Sequence, residues 1–229
     1  ANAAMTTTLQ WDFLGEVPYT QAWAWQQTLR ERRITGEIPD TLLLLEHPPT
    51  ITLGRLRGEQ SLRQTPKELQ EQGITLIQSD RGGDATIHAP GQLVGYLIIN
   101  IKERKLSLPR FVENLALFFA SYLRECFAIE ARYDSAYPGV WVGHEKIVAF
   151  GFHLKRDVTM HGFAFNFQTN LQLFDSIVPC GLADRGVTSL QKLLQGKPAP
   201  TPRNIAPLIA EGIASVLSHS LQRCSLSPL

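Results

Sequence analysis

Hydrophobic and polar positions along the chain fall into two rhythms, one of period two and one of period three to four. Residues 9–13 read as a short strand. From Pro18 to Arg33 the spacing of Tyr19, Ala22, Trp23, Gln26 and Leu29 predicts a helix. The continuous apolar run 41–47 stops at Pro48-Pro49, the mark of a buried strand. Thr65-Pro66-Lys67-Glu68 is a capping box with proline at the first helical position. Gly73, which tolerates a left-handed backbone, ends the helix that this box starts. Residues 74–79 form the next strand and feed the run 81–92. Residues 93–101 carry few polar side chains and belong at the centre of a sheet.

Ser107 caps a helix reaching to about Cys126, with Phe111, Leu115, Phe118, Phe119 and Tyr122 on one face. Strands are expected over 129–133, 139–142, 146–154 and 162–167, with turns at Pro138-Gly139 and Gly143-His144. Thr188 to Gln191 reads as a second capping box, with Gly196 as its stop. Residues 196–203 form a loop rich in proline and basic residues. Ile205, Leu208, Ile209, Ile213, Val216 and Leu217 define a last helix. There is no internal repeat and no linker-like stretch. The alternation predicts one α/β (α+β) domain with a mixed central sheet flanked by helices.

Composition narrows the class. With 229 residues and 44% hydrophobic side chains the chain buries a real core as a single domain. Residues 1–4 precede Met5 and read as a tag remnant, which leaves 5–229 as the domain. The net charge of +1, from 22 basic and 21 acidic residues, argues against nucleic acid as the main ligand. Three cysteines, Cys126, Cys180 and Cys224, make a disulfide framework unlikely to be the design and point to a reducing compartment. No apolar run reaches membrane-span length and no leader pattern precedes the domain, so a cytoplasmic enzyme without membrane attachment is expected.

Candidate chemistry lies in two places. The first is Arg81-Gly82-Gly83-Asp84-Ala85-Thr86-Ile87-His88, followed by Pro90-Gly91-Gln92. Glycine lets backbone N–H groups approach a ligand, and arginine and histidine bind an oxyanion or a carbonyl. The same residues also suit a purely structural turn with a core histidine, and residue types alone do not separate the two. The second is Pro179-Cys180-Gly181. A thiol is a strong nucleophile at neutral pH, but an isolated cysteine is more often a small buried apolar residue. Cys126 fits that plainer role at the end of a helical face, and Cys224 lies in the tail. Lys146 opens an apolar strand. It is either a solvated strand end or, folded against Cys180, a group that holds the thiolate or takes a proton from an incoming amine. His47, His144, His153 and His161 match no zinc spacing, and Cys180 has no cysteine partner nearby, so no metal is expected.

Four segments, taken together, resemble the lipoyl(octanoyl) transferases of lipoate biosynthesis. They are Glu46-His47-Pro48-Pro49 with Thr52-Leu53-Gly54-Arg55; the residues 81–88 with Pro90-Gly91-Gln92; Gly139-Val140-Trp141-Val142-Gly143 leading to Lys146-Ile147; and His161-Gly162-Phe163-Ala164-Phe165-Asn166 leading to Pro179-Cys180-Gly181. The similarity spans about residues 9–195.

The resemblance implies the fold shared with lipoate ligases and biotin protein ligases. It also implies transfer of an octanoyl group from octanoyl-acyl carrier protein to a lysine on lipoyl domains of 2-oxoacid dehydrogenases and on glycine cleavage H protein. Cys180 would be the acyl-thioester nucleophile and Lys146 the group that lowers its pKa. The acyl pocket would map onto Arg81, Gly82, Gly83, Asp84, Ala85, Thr86, Ile87 and His88, onto Ala149, Phe150 and Gly151, and onto Gly162, Phe163 and Ala164. Backbone N–H groups near Gly83 or Gly181, with His88, would stabilise the oxyanion.

Thioester exchange needs no ATP, so no cofactor is expected, and a monomer is. The rival is an ATP-dependent lipoate or octanoate ligase of the same fold, which has no need of Cys180. A binding module without catalysis would have no reason to keep Lys146 and Cys180 together. An acidic carrier would meet a basic surface: Lys102, Arg104, Lys105 and Arg110 cluster in one segment and Arg30, Arg32 and Arg33 in another, although a solvated face explains both equally.

Overall fold

Residues 7–178 and 185–226 are described by the computed structural model, and among them two sheets account for the strands. The smaller has β4 (Thr75–Gln78) parallel and β5 (Thr86–His88) antiparallel to a central β3 (Thr50–Leu53). The larger is built from β1 (Thr8–Glu16), β2 (Asp40–Glu46), β6 (Gln92–Ile98), β7 (Arg132–Tyr133), β8 (Gly139–Val142), β9 (Glu145–Lys155), β10 (Val158–Asn166), β11 (Gly186–Val187) and β12 (Ser220–Arg223). Its order is β12-β1-β2-β6-β10-β9-β8-β7, with β11 laid parallel to the start of β9. The helices are α1 (Tyr19–Ile34), α2 (Pro66–Glu71), α3 (Leu108–Phe127), α4 (Leu190–Leu193) and α5 (Pro202–Val216). This is the mixed α/β architecture that the alternation predicts. None of these helices is long and apolar enough to cross a membrane.

β6 sits between β2 and β10 with all seven residues buried, because helices or loops cover both faces of the sheet there. On one face α3 and α5 pack over Leu42, Leu44, Leu93, Leu97, Phe163 and Phe165. The Ser107 hydroxyl accepts from the Arg110 N–H to start α3, and Phe119 meets Phe163 edge-on at 4.8 Å between ring centres. On the other face α1 covers Leu43, Leu45, Val94 and Tyr96. A second, smaller core of Ile51, Leu53, Leu69, Ile74, Ile87, Phe174 and Ile177 lies under the small sheet. The Thr65 capping box forms as expected, and Gly73 takes a φ of +75° after α2.

Several sequence expectations shift. The buried stripe of α1 runs Tyr19, Ala22, Gln26, Arg30, Arg33; Trp23 and Leu29 are only half-buried. The cap of α4 is Ser189, whose hydroxyl accepts from the Lys192 N–H. Thr188 belongs instead to the end of the β11 pairing, its N–H donating to the Lys146 carbonyl at 2.9 Å. Gln191 bridges to Lys197 and Ala199 across the following loop. Cys126 is exposed rather than buried, Leu208 is 42% exposed on α5, and the strand expected over 129–133 shrinks to β7. β12 has no counterpart in the sequence reading; it pairs parallel to β1.

The burial of Arg33 has a clear cause. Asp40, fully buried at the start of β2, accepts from Arg33 Nε at 2.9 Å, from the Asn100 N–H at 3.0 Å and from His219 Nε2 at 2.7 Å. One carboxylate thereby joins α1, β2, the exit of β6 and the C-terminal segment. Removing one partner of a buried charged network costs about 3–5 kcal/mol. Asp40→Ala is expected to lose that much in urea unfolding at an unchanged m-value; a loss under about 1 kcal/mol would show that the network has only the weight of a surface ion pair.

Candidate active site

Residues 79–85 connect β4 to β5 and lie against the large sheet. Arg81 turns its side chain back into the loop. Its Nε donates to Thr52 Oγ1 at 2.9 Å, Nη1 to the Gly82 carbonyl at 2.9 Å, and Nη2 to the carbonyls of Thr52 and Asp84 at 2.6 Å each. The Gly82 N–H donates to the Phe152 carbonyl at 3.1 Å and thereby docks the loop on β9. Close approach needs glycine at position 54: a Cβ there would stand 2.2 Å from the Gly83 carbonyl oxygen. Asp84 accepts from the Ser61 hydroxyl and pairs with Arg57 at 3.7 Å. Arg81 therefore spends these donors on holding the loop's carbonyls, the structural one of the two roles open to it in the sequence.

Beyond the loop, polar side chains are locked in sequence. Gln92 Nε2 donates to the Ile87 carbonyl and to Asn166 Oδ1, so its Oε1 accepts from His88 Nδ1 at 2.8 Å. Burial pushes the His88 pKa well down, so the ring is neutral and its other nitrogen carries no proton. In this tautomer the His88 N–H is committed to Gln92. His47 donates from Nδ1 to the Val17 carbonyl at 2.5 Å and accepts from the Tyr96 hydroxyl at 2.6 Å; burial lowers its pKa to about 4. His161 donates to Asp80 at 2.7 Å and is also held neutral by burial. The Tyr19 ring stacks on His88 at 5.7 Å, and its hydroxyl bonds Ser79.

Of these groups Tyr19, His88, Gln92, Tyr96, His161 and Asn166 line a cleft of about 800 Å³ between the loop and the large sheet, within the usual range for small-molecule sites. At one end stand Lys146, Trp141 and Arg185; at the other stand Tyr19, His88, Tyr96 and His161. Lys146 Nζ lies 5.0 Å from the centre of the Trp141 ring, and the Arg185 guanidinium packs on the same ring at 5.0 Å. The cleft brings together Arg81, Gly82, Gly83, Asp84, Ala85, Thr86, His88, Ala149, Phe150, Gly151, Gly162, Phe163, Ala164 and Lys146. Ile87 is not among its walls. Alternation along β5 turns Ile87 into the small core beside Ile51.

Cys180 lies outside the described residues, as do Pro179 and Gly181. The chain on either side of them is tied to the cleft. The Val178 N–H donates to the Ser61 carbonyl at 2.8 Å, and Gly186 and Val187 pair in parallel with Glu145 and Lys146. Ile177, Arg185, Gly186 and Val187 all line the cleft.

The sequence reading missed Tyr19, Tyr96, Trp141 and Arg185 as cleft residues. Tyr19 and Tyr96 each sit in an apolar pattern that core packing already explains, so periodicity carries no separate signal for them. The basic segments fare differently from one another: Arg33 is buried in the Asp40 network, Arg30 donates to His153, and Arg32 pairs with Glu37. None of the basic residues of either segment lines the cleft, where the basic groups are Arg57, Arg81, Lys146 and Arg185. Among the described residues no cluster of histidine, cysteine and acidic groups has the form of a metal site.

Residues 18–214 match the lipoyl protein ligase A/B catalytic domain, and the chain belongs to that family. Within it the chain is an acyltransferase. It is 50% identical over 181 residues to an octanoyltransferase of Alkaliphilus metalliredigens, covering 79% of this chain and 83% of that one. It is 45% identical to an octanoyltransferase of Desulforamulus reducens, over 81% of each chain. The fold is that of a lipoate-protein ligase A bound with ATP, with a TM-score of 0.70 at 14% identity over 96% of this chain and 90% of that one. A biotin protein ligase of Aquifex aeolicus shares it more distantly, with a TM-score of 0.55 at 20% identity over 91% and 70%.

The neutral histidines set a pH dependence. His47 titrates near its ordinary value of 6.5 when unfolded and at about 4 when folded. Between those values the unfolded chain binds the extra proton, so stability is intact above about pH 6.5 and falls as the pH drops toward 4. The contribution of His47 alone is about 3 kcal/mol. His88 and His161 act in the same direction. Unfolding free energies measured from pH 7.5 to 4.5 are expected to fall steeply below 6.5. His47→Gln is expected to start lower and to have a shallower slope in that window; a parallel slope would remove His47 as a source.

Proposed function

We propose that this protein transfers an octanoyl group from octanoyl-acyl carrier protein to the acceptor lysine of a lipoyl domain, through a thioester on Cys180. The observation that carries the reading is the pairing of Gly186 and Val187 with Glu145 and Lys146. It ties the segment that follows Cys180 to the lysine that the mechanism requires, on the wall of the cleft. Relatives named octanoyltransferases support the acyl group. A lipoate protein ligase solved in a study with its E2 lipoyl domain, from Thermoplasma acidophilum, supports the class of acceptor.

The chemistry balances without a cofactor. The Cys180 thiolate attacks the donor's thioester carbonyl, and the carrier's thiolate leaves with a proton from the Lys146 ammonium. The acceptor lysine's amine then attacks the Cys180 thioester and gives a proton to the Lys146 amine. The Cys180 thiolate leaves and the starting pair is restored. An ammonium beside a thiol favours the thiolate, which is the nucleophile. Backbone N–H groups of the loop around Gly83 supply the oxyanion donors, since His88 lacks the proton for it. Arg57, Arg185 and the half-exposed Tyr137 at the cleft are the surface offered to an acidic carrier. A cytoplasmic monomer completes the reading.

Octanoyl carrier protein alone is expected to add one octanoyl mass to the intact protein, labile to hydroxylamine. Cys180→Ala abolishes the adduct; Cys126→Ala and Cys224→Ala keep it. Lys146→Ala slows both half-reactions by about 10²–10⁴, the range for loss of a positioned proton carrier. An active Cys180→Ala protein that uses ATP and free octanoate would make it a ligase and end the thioester mechanism.

A further inference from the structure

The floor of the cleft is unusually bare. The first row across the large sheet is Gly139, Ala149, Ala164 and Val94, aligned by the pairings β8–β9, β9–β10 and β10–β6, and Ala149 and Ala164 of this row line the cleft. The row two residues further on is Gly151, Gly162 and Tyr96. Gly162 has no alternative: a Cβ there would stand 2.1 Å from the Gly95 carbonyl oxygen. The Lys146 stem crosses this floor, with Cε 3.0 Å from where a Gly139 Cβ would be. Starting from Lys146, the first large side chain in the second row is Tyr96.

Tyr96 is also fixed. Its hydroxyl donates to His47, and His47 has no freedom of its own because its Nδ1 donates to the Val17 carbonyl. His161 stands edge-on to the Tyr96 ring at 6.2 Å. The ring is 97% buried and yet faces the cleft. Two strand spacings and two residues separate Tyr96 from Ala149, a diagonal of about 12 Å between α-carbons. With carbon–carbon bonds of about 1.5 Å, an extended eight-carbon acyl chain measures about 9 Å from carbonyl carbon to methyl. The remainder is a van der Waals gap of about 3–4 Å.

We propose that the Tyr96 ring is the end wall that sets acyl chain length, and that His47 is the positioning residue that holds it there. This rests on reading the cleft as the acyl site, with the carbonyl at the Lys146 end. It does not rest on the Cys180 thioester. Shorter chains leave the wall uncovered and lose about fourfold in affinity per missing methylene. Longer chains meet a ring that cannot swing aside without breaking the bond to His47.

The test is calorimetric binding of free saturated carboxylic acids of six to fourteen carbons, which needs neither Cys180 nor a carrier. The wild-type protein is expected to bind the eight-carbon acid best. Tyr96→Leu moves the optimum to ten carbons or more and raises the ratio of twelve- to eight-carbon affinity by about tenfold or more. Tyr96→Trp moves the optimum to six. Tyr96→Phe keeps a ring of the same depth but loses the hydroxyl that bonds His47, and is expected to flatten the profile as His47→Ala does. His47→Ala flattens the profile, a change that a merely structural role would not produce. If Tyr96→Leu does not fold, the Tyr96→Trp and His47→Ala profiles decide. An optimum that stays at eight carbons in the altered-wall variants overturns the proposal, as does a wild-type protein without length preference. Absence of an acyl-enzyme on Cys180 would leave these profiles unaffected and would count only against the thioester.

Discussion

A single buried guanidinium organises the working side of this molecule. Arg81 gathers the carbonyls of Thr52, Gly82 and Asp84 around one planar group, and so bends the segment between β4 and β5 into a rigid shelf. Charged donors on carbonyl acceptors are about twice as strong as neutral pairs, and here they are shielded from water. The shelf then docks on β9 through the Gly82 N–H, with its Gly82 carbonyl oxygen 3.0 Å from where a Gly151 Cβ would stand, and leaves the cleft open beside that contact. The cleft exists because the arginine holds the loop's shape from within, so the loop needs no side chain reaching across to the floor. Lysine would not substitute: a point charge has neither the fork nor the number of donors.

The second constraint is on what the sheet does not carry. Ala149, Gly151, Gly162 and Ala164 face the shelf with at most a methyl group each. Their neighbours along the strands, Phe150 and Phe163, send their rings toward Phe119 of α3, at 6.3 and 4.8 Å. Period-two alternation thus gives one sheet two unlike faces: an aromatic core on the helix side and a bare floor on the cleft side. Phe150 and Phe163 serve the core with their rings and still contribute to the cleft wall.

Much of this was legible in the residue pattern, and the exceptions share a cause. The centrality of β6, the aromatic face of α3 and the Thr65 capping box follow from local periodicity and capping chemistry, which need no tertiary partner. Among the described residues the motif segments lie together around the cleft, and the Glu46 carboxylate accepts from the Gly91 N–H to join the first to the second. What escaped depends on contacts distant in sequence. Arg30 and Arg33 look like surface charges until His153 and Asp40 are placed beside them. β12 is too short and polar to announce itself without β1. Thr188 and Ser189 are equally good caps by type, and only the pairing of Thr188 with Lys146 decides between them. Ile87 lies inside a motif whose other members line the cleft, and strand alternation alone turns it away.

The polar groups at the far end of the cleft resolve an apparent conflict, since a site for an apolar chain is closed by tyrosines and histidines. Their hydrogen bonds run away from the cavity: Tyr96 to His47, which Val17 holds from behind, Tyr19 to Ser79, His88 Nδ1 to Gln92 and His161 Nε2 to Asp80, while His161 Nδ1 is buried without a partner. With the hydrogen bonds so directed, the surfaces left to the cleft are chiefly ring carbons. Burial keeps His47, His88 and His161 neutral, so no charge sits where an apolar chain would displace water. A wall of leucine and phenylalanine would be as apolar, but its rotamers would be held by packing alone. Hydrogen-bonded rings combine the same apolar surface with orientations that yield only when a bond breaks, which gives the closed end of the cleft a defined depth.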